Sequence, residues 1–404
     1  MRIGLFTDAY LPEISGVTIL VRRLRDELER LGHEAYVYAP KYDRPSDDER
    51  NTFRFRSGPV FAYKTARMAL PYSRAASRSL SSLDLIHSHT PFSLAYVALA
   101  AAYRHRLPHV QTYHTYLSQY RHYVPRPIRP SVKAAESYSA MLCNRCTTIT
   151  VPTRSIEQEL RRFGVCRPIH VLPFGPYLPL YEMPAAWNPR EEMGIAEDAP
   201  VCLYAGRVAA EKNLRFLLDA FGRIHAEEPR AVMVFAGDGP MRAPLERASA
   251  ELGIANAVRF AGFLDQSRLT DLYKAADLFL FASKTETQGL VLVEAMAGGT
   301  PAVAVNALGV RDVVQDGVNG FLVPEDPTAL AAKAIEIIGS PELGHELSEG
   351  ALKAAEESSV QASTRRLLEI YEECATVDHR PRGRLRTRFR RRRRPSRRRA
   401  RRGF

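Results

Sequence analysis

The stretch "ADLFLFASKTETQGLVLVEAMAGG", residues 276–299, places a polar loop between two apolar runs. The first run is apolar at consecutive positions, as a parallel strand covered on both faces must be. The second run ends at Gly298 and Gly299, and glycine is typical of a helix C-terminus. We therefore predict a strand at 277–281 and a helix that begins near Gly289. This strand–loop–helix unit favours an α/β fold with parallel sheets.

Two acids, Glu286 and Glu294, lie in that loop and helix. In open α/β sheets, ligands bind at the carboxyl ends of the strands, where the first N–H groups of the next helix lack internal partners. Gly289, Leu290 and Val291 can therefore donate backbone hydrogen bonds to hydroxyls or phosphates. Two carboxylates beside such donors indicate a polyhydroxylated, phosphorylated ligand. The alternative is that Glu286 is an acid favoured by the helix dipole and Glu294 a solvated helix residue.

The same alternation of strands and helices runs through most of the chain. With 404 residues and 45% hydrophobic content, the protein can form two α/β domains with separate cores. Short apolar runs predict strands of one doubly wound domain at 2–7, 34–38, 83–87, 109–112, 147–151 and 169–172, and of a second at 200–205, 231–236, 258–260, 277–281 and 302–305. We therefore expect a first domain at 1–172, a Pro-rich linker at 173–194 and a second domain at 195–359. A final helix near 360–375 is a candidate to pack back on the first domain.

The net charge of +12 comes from the end of the chain. Arg380 to Arg402 contains fifteen arginines, which leaves 42 Lys and Arg against 45 Asp and Glu in the rest. A run of this kind cannot bury apolar surface, so we expect 379–404 to be a disordered basic tail. The tail suggests nucleic-acid binding as a remote alternative, but only Phe389 and Phe404 are aromatic there and no known nucleic-acid motif precedes it.

Cysteine usage and hydropathy predict the compartment. The five cysteines are scattered, which argues for a reducing environment, and Cys143 and Cys146 are best interpreted as buried thiols. The opening "MRIGLFTDAY" lacks a long apolar region, and the apolar run at 94–103 is too short to cross a bilayer. We therefore predict a cytoplasmic protein.

A second motif, "YAGRVAAEKN" at 204–213, places two cations beside another strand end. Gly206 ends the strand, and Arg207 and Lys212 flank the start of the next helix. An arginine that forks across two oxygens and a lysine that acts as a point charge suit a diphosphate. The alternative is that they are surface residues that pair with neighbours such as Glu211. Two more loops of this kind follow predicted strands: "FAGDGP" at 235–240 and "FAGFLD" at 260–265, the latter with Phe263 and Leu264. Together the loops at the carboxyl ends of the strands form a rim the size of a nucleotide.

The turn with Arg207 and Lys212 and the segment from Glu286 to Glu294, in this order and separation, resemble the donor domain of glycosyltransferase family 4. The resemblance covers about residues 1–375 and implies the GT-B fold, in which two Rossmann-like domains face each other across a cleft. Within the family, the motifs are most similar to bacterial diacylglycerol glucosyltransferases. The motifs that carry this likeness are "TETQGL" (285–290), "FTDAYLPEISGV" (6–17), "HSHTPFS" (87–93) and "YHTYLSQYRHY" (113–123).

The resemblance implies roles in holding the donor. Arg207 and Lys212 would bind the donor diphosphate, and Glu294 would bind the ribose hydroxyls. Glu286, with the amides of Gly289 and Leu290, would hold the transferred sugar. Val291, Gly206, Phe263 and Leu264 would complete the nucleotide site.

Other roles implied by the resemblance belong to the first domain. The backbone at Gly16 would approach the phosphate or the acceptor, since glycine has no side chain there. His114 would contact the sugar near the reacting centre. Asp8 and His89 are weaker candidates for the acceptor side. An ordinary strand-end histidine is the alternative for His114.

The implied reaction moves a hexose, glucose first among the candidates, from a UDP-sugar to a membrane lipid such as diacylglycerol, with retention of configuration. No Asp-X-Asp motif occurs, so we expect no metal and no cofactor. A soluble acceptor, or transfer of mannose or sulfoquinovose, is the alternative. Two positions depart from the family pattern: Phe174 stands where many relatives have asparagine, and Gln288 where phenylalanine is usual.

Two segments of the first domain mix cations with aromatic residues, as interfacial anchors do. They lie at 53–74 and 119–133, and the basic tail adds a second signal for an anionic surface. We therefore predict that the protein is peripheral on the inner face of the cell membrane. The alternative is that each segment covers the core of its own domain.

Overall fold

The computed structural model describes residues 1–44, 48–60, 63–119, 121 and 124–376. The predicted basic tail at 379–404 lies outside these residues. In chain order the strands are β1 Arg2–Phe6, β2 Glu34–Pro40, β3 Thr52–Phe55, β4 Ser57–Val60, β5 Tyr63–Ala69, β6 Leu85–Ser88, β7 His109–Thr112, β8 Thr148–Val151, β9 Ile169–Val171, β10 Val201–Ala205, β11 Val232–Ala236, β12 Val258–Gly262, β13 Leu278–Phe281, β14 Ala302–Val305 and β15 Gly320–Val323.

Helices separate most of these strands. They are α1 Gly16–Arg30, α2 Arg74–Ser79, α3 Ser93–His105, α4 Val132–Cys143, α5 Arg154–Arg162, α6 Pro179–Glu182, α7 Pro189–Glu192, α8 Leu214–Glu227, α9 Arg242–Glu251, α10 Gln266–Ala275, α11 Leu290–Ala297, α12 Pro327–Ile338, α13 Pro341–Glu357 and α14 Val360–Thr376. The helix predicted after Gly289 is therefore α11, and it ends before Gly298 as expected.

Apart from the antiparallel pair of β4 and β5, the described strands form two parallel sheets, which confirms the predicted fold class. Within the described residues, the first sheet has the order β3-β2-β1-β6-β7-β8-β9 and the second has the order β12-β11-β10-β13-β14-β15. In each sheet the strand order reverses once, between β1 and β6 and between β10 and β13. Such a reversal opens a crevice at the carboxyl ends of the strands, and ligands bind there.

The last helix returns to the first sheet. Leu367, Ile370, Tyr371 and Cys374 of α14 belong to the same buried cluster as the first-sheet residues Ile3, Leu5 and Val37. The chain passes between the two sheets twice, near Pro176 and near Val360. These two segments contact each other, because Val360 N donates to Pro176 O at 3.0 Å. At Gly175 the backbone of Ser358 approaches so closely that a Cβ would lie 2.3 Å from its carbonyl oxygen.

The segment at 53–74 differs from a simple surface anchor. It contains β3, the antiparallel hairpin of β4 and β5, and the start of α2. Phe55 is buried in the domain's own core, whereas Met68, Leu70 and Tyr72 are exposed. One part of the segment therefore closes the core, and another part exposes apolar side chains.

The carboxyl ends of the two sheets face each other. Thr287, in the loop after β13, donates its hydroxyl to His114 O at 3.0 Å, and Thr153, after β8, donates to Thr287 O at 2.9 Å. At the helix ends, a Cβ on Gly16 would lie 3.5 Å from Leu290 Cδ1. The loops that the sequence singled out thus meet between the two sheets.

Candidate active site

Lys212 and Glu286 form an ion pair at the strand-order reversal of the second sheet. Lys212 lies on a single 3₁₀ turn, Ala210–Lys212, after β10, and Glu286 lies in the loop after β13. The two side chains are only 17% and 15% exposed. The pair thus joins the two loops that border the predicted ligand crevice.

A glycine fixes the loop that carries Glu286. Gly309 has a φ of +78°, and a Cβ there would lie 2.5 Å from Glu286 O and 2.6 Å from Thr287 O. Because any side chain would collide with this backbone, position 309 requires glycine. This role of Gly309 could not be predicted, because a single glycine 23 residues beyond Glu286 carries no local signal of the contact.

Arg207 lies on the same rim and pairs with Glu211. This is the local partner that the sequence offered as the alternative for Arg207. The guanidinium is 39% exposed, whereas Glu211 is 13% exposed. Lys212 thus pairs with Glu286 of a distant loop, whereas Arg207 pairs with Glu211, four residues further along the chain.

The Glu294 side chain is only 13% exposed, so it is not a solvated helix residue. Its Oε1 lies 3.5 Å from Arg23 Nη1 of α1, and Tyr273 Oη donates to its Oε2 at 3.5 Å. Burial raises the pKa of the Glu294 carboxyl, and the nearby Arg23 opposes that rise. Arg23 Nη2 and Tyr181 Oη are both buried without a partner in the described structure. Around Glu294 there is therefore unused hydrogen-bonding capacity.

The start of α11 contributes backbone donors but also packs across the interface. Gly289 precedes the helix with a φ of +81°, which suits glycine. The side chain of Leu290 packs against the core of the first domain, beside Val17. The N-terminus of α11 thus lies against the N-terminus of α1 at Gly16.

The other strand exits of the second sheet pack tightly together. Gly237 N donates to Gly262 O at 2.7 Å, and a Cβ on Gly237 would lie 1.9 Å from Gly206 O. Next to Gly262, the ring of Phe263 is 68% exposed, while Leu264 packs against the domain core. Phe263 is thus available for contact with a ligand, whereas Leu264 is mainly structural.

On the first sheet, a row of histidines leads towards the crevice. The His87 and His89 ring centroids are 4.0 Å apart, and His89 Nδ1 lies 3.2 Å from His114 Nε2. Burial lowers the pKa of His114 to about 4 and the pKa values of His87 and His89 well below the usual range. All three imidazoles are therefore neutral near pH 7. His114 is partly exposed, whereas His87 and His89 are fully buried.

The two weaker acceptor candidates have other tasks. Asp8 accepts hydrogen bonds from the Thr90 and Ser93 hydroxyls at 2.7 and 2.5 Å and from Leu94 N at 3.0 Å. Its carboxylate therefore fixes the start of α3, although burial raises its pKa. His89 is buried behind His114 and cannot reach an acceptor directly.

The two departures from the family pattern contact each other. Gln288 Nε2 donates to Phe174 O at 2.6 Å, and Phe174 N donates to Gln288 Oε1 at 3.2 Å. The Phe174 ring also lies 6.0 Å from the His114 ring. A glutamine amide can make this paired contact with a peptide unit, whereas a phenylalanine cannot. The linker is thus attached to the loop that carries Glu286.

The outer face of the first domain exposes a group of large apolar side chains. They lie on β5, in the loop between β5 and α2, and on α3 and its preceding loop: Met68, Leu70, Tyr72, Phe92, Tyr96 and Tyr103. Ala69 N donates to Ser93 Oγ at 3.0 Å and joins β5 to α3. Arg74, Arg78, Arg104 and Arg106 are exposed beside them. We call this set of apolar and basic residues the outer face.

Two cations predicted to contact a membrane are held by the protein itself. Arg67 pairs with Asp43 at 2.7 Å and is only 15% exposed, and Arg121 Nε donates to Pro130 O at 2.6 Å. Tyr120 and Tyr123 of the segment at 119–133 lie outside the described residues. Among the residues that the structure describes, no helix has both the length and the apolar content for a bilayer crossing, and no three His, Cys, Asp or Glu side chains are grouped to hold a metal ion.

Comparisons with known proteins cover both domains. The family model described as "Glycosyltransferase Family 4" matches residues 14–175, and the one described as "Glycosyl transferases group 1" matches residues 186–354. The alpha-monoglucosyldiacylglycerol synthase of Streptococcus pneumoniae is 32% identical over 363 residues, which are 86% of this chain and 81% of the relative. The enzyme of the same name from Acholeplasma laidlawii is 32% identical over 366 residues, 87% of this chain and 92% of the relative.

Among solved structures, the Anabaena protein HepE in complex with UDP has a similar fold. The TM-score is 0.74 at 22% identity, and the match covers 92% of this chain and 100% of that one. At this identity the likeness is one of fold.

Proposed function

The chain belongs to glycosyltransferase family 4, and on that premise we propose that it moves a hexose from a UDP-linked donor to a hydroxyl of a membrane lipid such as diacylglycerol, with retention of configuration. The proposed binding of the UDP-linked donor is supported by the ion pair of Lys212 and Glu286, which lies at the strand-order reversal opposite His114. It combines a cation for phosphate with a carboxylate for sugar hydroxyls at the position where α/β sheets bind nucleotides.

In the proposed reaction, the bond between the anomeric carbon and the diphosphate breaks, and a bond from that carbon to the acceptor oxygen forms. The hydroxyl proton passes to the released diphosphate. Lys212 and Arg207 stabilise the negative charge that grows on the diphosphate, and this requires each to exchange its carboxylate partner for phosphate oxygens. Glu286, thus released, accepts hydrogen bonds from the sugar. No metal is required, since the fixed cations supply the positive charge.

Glu294 and Phe263 complete the proposed nucleotide site. The Glu294 carboxylate makes only two contacts of 3.5 Å in the described structure, so it can accept shorter bonds from ribose hydroxyls. The exposed ring of Phe263 offers an apolar surface to the base. Two histidines of the first domain, His114 and the buried His89 behind it, lie on the opposite side.

The lipid half of the proposal is supported by the outer face and by the two relatives at 32% identity, whose names specify diacylglycerol. Exposed Tyr96 and Tyr103 with neighbouring arginines have the composition of a surface that lies on an anionic bilayer. A peripheral position on the inner face of the cell membrane follows from this proposal.

The test is a donor screen against acceptors in two forms. The protein is incubated with UDP-glucose, UDP-galactose, GDP-mannose or UDP-sulfoquinovose, and with diacylglycerol in anionic vesicles or with water-soluble sugar phosphates. Mass spectrometry of the products identifies both the sugar and the acceptor. We expect a glycosylated diacylglycerol with UDP-glucose. Products only with soluble acceptors would refute the lipid half, and products only with a non-UDP donor would refute the donor half.

A further inference from the structure

The contact between His89 and His114 is a hydrogen bond between two neutral imidazoles. Their pKa values are lowered by burial, so near pH 7 one nitrogen of each ring carries hydrogen and the other does not. Between His89 Nδ1 and His114 Nε2, 3.2 Å apart, there is room for one shared hydrogen. Which ring donates it fixes the tautomer of the other.

The remaining nitrogen of His89 indicates the direction. His89 Nε2 is buried without a partner in the described structure. If His114 donated, His89 Nε2 would carry the hydrogen, and a buried N–H would be left unpaired. If His89 donates from Nδ1, only a lone pair is left unpaired. Buried orphan N–H groups are rarer than under-used acceptors, which favours the second arrangement.

The row of buried residues behind His89 keeps its ring in place. The His87 ring lies against it at a tilt of 35°. His87 is hydrogen-bonded at both nitrogens, Nδ1 with Tyr371 Oη and Nε2 with Thr112 Oγ1, each at 2.6 Å. The backbone of His89 is fixed by a hydrogen bond from its N–H to Phe6 O at 2.8 Å. His89 thus has little freedom to turn its Nδ1 away from His114.

We propose that His89 is a positioning residue, whose Nδ1–H donates to His114 Nε2 and holds His114 in the tautomer that carries its hydrogen on Nδ1. His114 then presents an N–H to its partly exposed side, as a hydrogen-bond donor to an oxygen of the transferred sugar. This last step rests on the proposed function; the tautomer itself does not.

The first measurement needs no substrate. Long-range ¹H–¹⁵N spectra of protein labelled with ¹⁵N-histidine report which ring nitrogen carries hydrogen, and His114→Gln assigns the signal. We expect Nδ1–H in the parent and a shift towards the Nε2–H form in His89→Leu. A parent spectrum that shows Nε2–H on His114 would overturn the proposal, even if the leucine variant does not fold.

The second measurement uses transfer rates. His89→Leu should lower kcat about 10- to 100-fold with little change in donor KM, by analogy with the loss found when the hydrogen-bond partner that orients a metal-bound histidine is removed. His89→Asn should restore most of the rate, because its amide nitrogen is as many bonds from Cα as Nδ1. His109→Leu is the matched control: His109 is a buried imidazole on β7, bonded to Ser88 at 2.6 Å and to neither His89 nor His114.

An equal loss in the His109 and His89 leucine variants would show a general structural effect and overturn the positioning role. If the parent transfers no sugar from any donor while His114 shows Nδ1–H, the proposed function fails and the assignment of the tautomer stands.

Discussion

Lys212 and Glu286, 74 residues apart in the chain, form an ion pair that bridges the loops after β10 and β13. Both side chains are less than one-fifth exposed, so the removal of one leaves the other charge partly buried and unpaired. In the proposed reaction the pair has two tasks: each residue contacts the donor, and each keeps the other in position until the donor binds.

Lys212→Ala and Glu286→Gln are each expected to lower kcat/KM for transfer by at least about 100-fold, because each removes a contact to charge or hydroxyls in the transition state. Steady-state kinetics with the donor found in the screen measures this. Lys284→Ala is the control, since Lys284 forms a more exposed pair with Glu325. Near-normal turnover in the Lys212 or Glu286 variant would refute the site.

Arg23→Ala is expected to weaken UDP binding about tenfold and to make it more dependent on pH. Burial already raises the pKa of Glu294, and loss of Arg23 removes the charge that opposes this rise. A larger fraction of Glu294 is then protonated, so affinity should recover as pH increases. Calorimetry at pH 6, 7 and 8 measures it, with the neighbouring, more exposed Arg22→Ala as control. The same affinity as the parent at all three values would contradict the assignment of Glu294 to the ribose.

Acid is expected to destabilise the first domain through its buried histidines. Burial lowers the pKa of His109 to about 3 and that of His114 to about 4, and the pKa of both is higher in the unfolded chain. Below about pH 6.5 the unfolded state therefore binds protons that the folded state does not bind. The free energy of unfolding then falls by about 1.4 kcal/mol per pH unit for each histidine. Urea denaturation at pH 7, 6 and 5 tests this. His109→Leu should reduce the slope by one histidine's share, and an unchanged slope would count against the effect.

Transfer is expected to continue in EDTA. Lys212 and Arg207 supply positive charge where other glycosyltransferases place a metal ion, so activity after extensive chelation should stay within about twofold of the untreated protein. Addition of Mg²⁺ or Mn²⁺ to the chelated protein is the matched comparison. A strict requirement for either ion would show that the two side chains do not suffice.

Replacement of Leu70, Tyr96 and Tyr103 by serine is expected to reduce sedimentation with anionic vesicles. UDP binding should be unchanged, because these residues belong to the first domain and the loops with Lys212 and Glu286 belong to the second. Leu352→Ser, an exposed apolar position on the second domain, is the control. Deletion of 380–404 should weaken the same binding and lower its salt sensitivity, since each basic residue near an anionic surface contributes about 1 kcal/mol before screening. Binding like that of the parent in both variants would favour a soluble acceptor.

Much of the fold could be predicted because buried parallel strands are apolar at every position, as 278–281 are. The strands β3, β4, β5 and β15 were not predicted. In β3 and β5 apolar residues are interrupted by arginines and a lysine, and β4 contains Gly58 and Pro59. In β15 the apolar run after Gly320 is only three residues long. At the site, the rim residues were predicted from the loops that follow strands. The contact of Arg23 with Glu294 was not, because 271 residues separate them and a single arginine on a helix face carries no sign of a distant partner.

The position of α14 also has a consequence for how the protein is made. The core of the first sheet includes Leu367 and Tyr371, so a ribosome that has finished the first domain has not yet synthesised the helix that covers it. Domains usually fold in the order in which they emerge. Here the first domain to emerge is the last to be completed. Its apolar surface stays uncovered until the whole second domain and then α14 have been synthesised. Truncation near residue 360 should therefore yield an aggregation-prone chain, although the cut lies at the opposite end of the sequence.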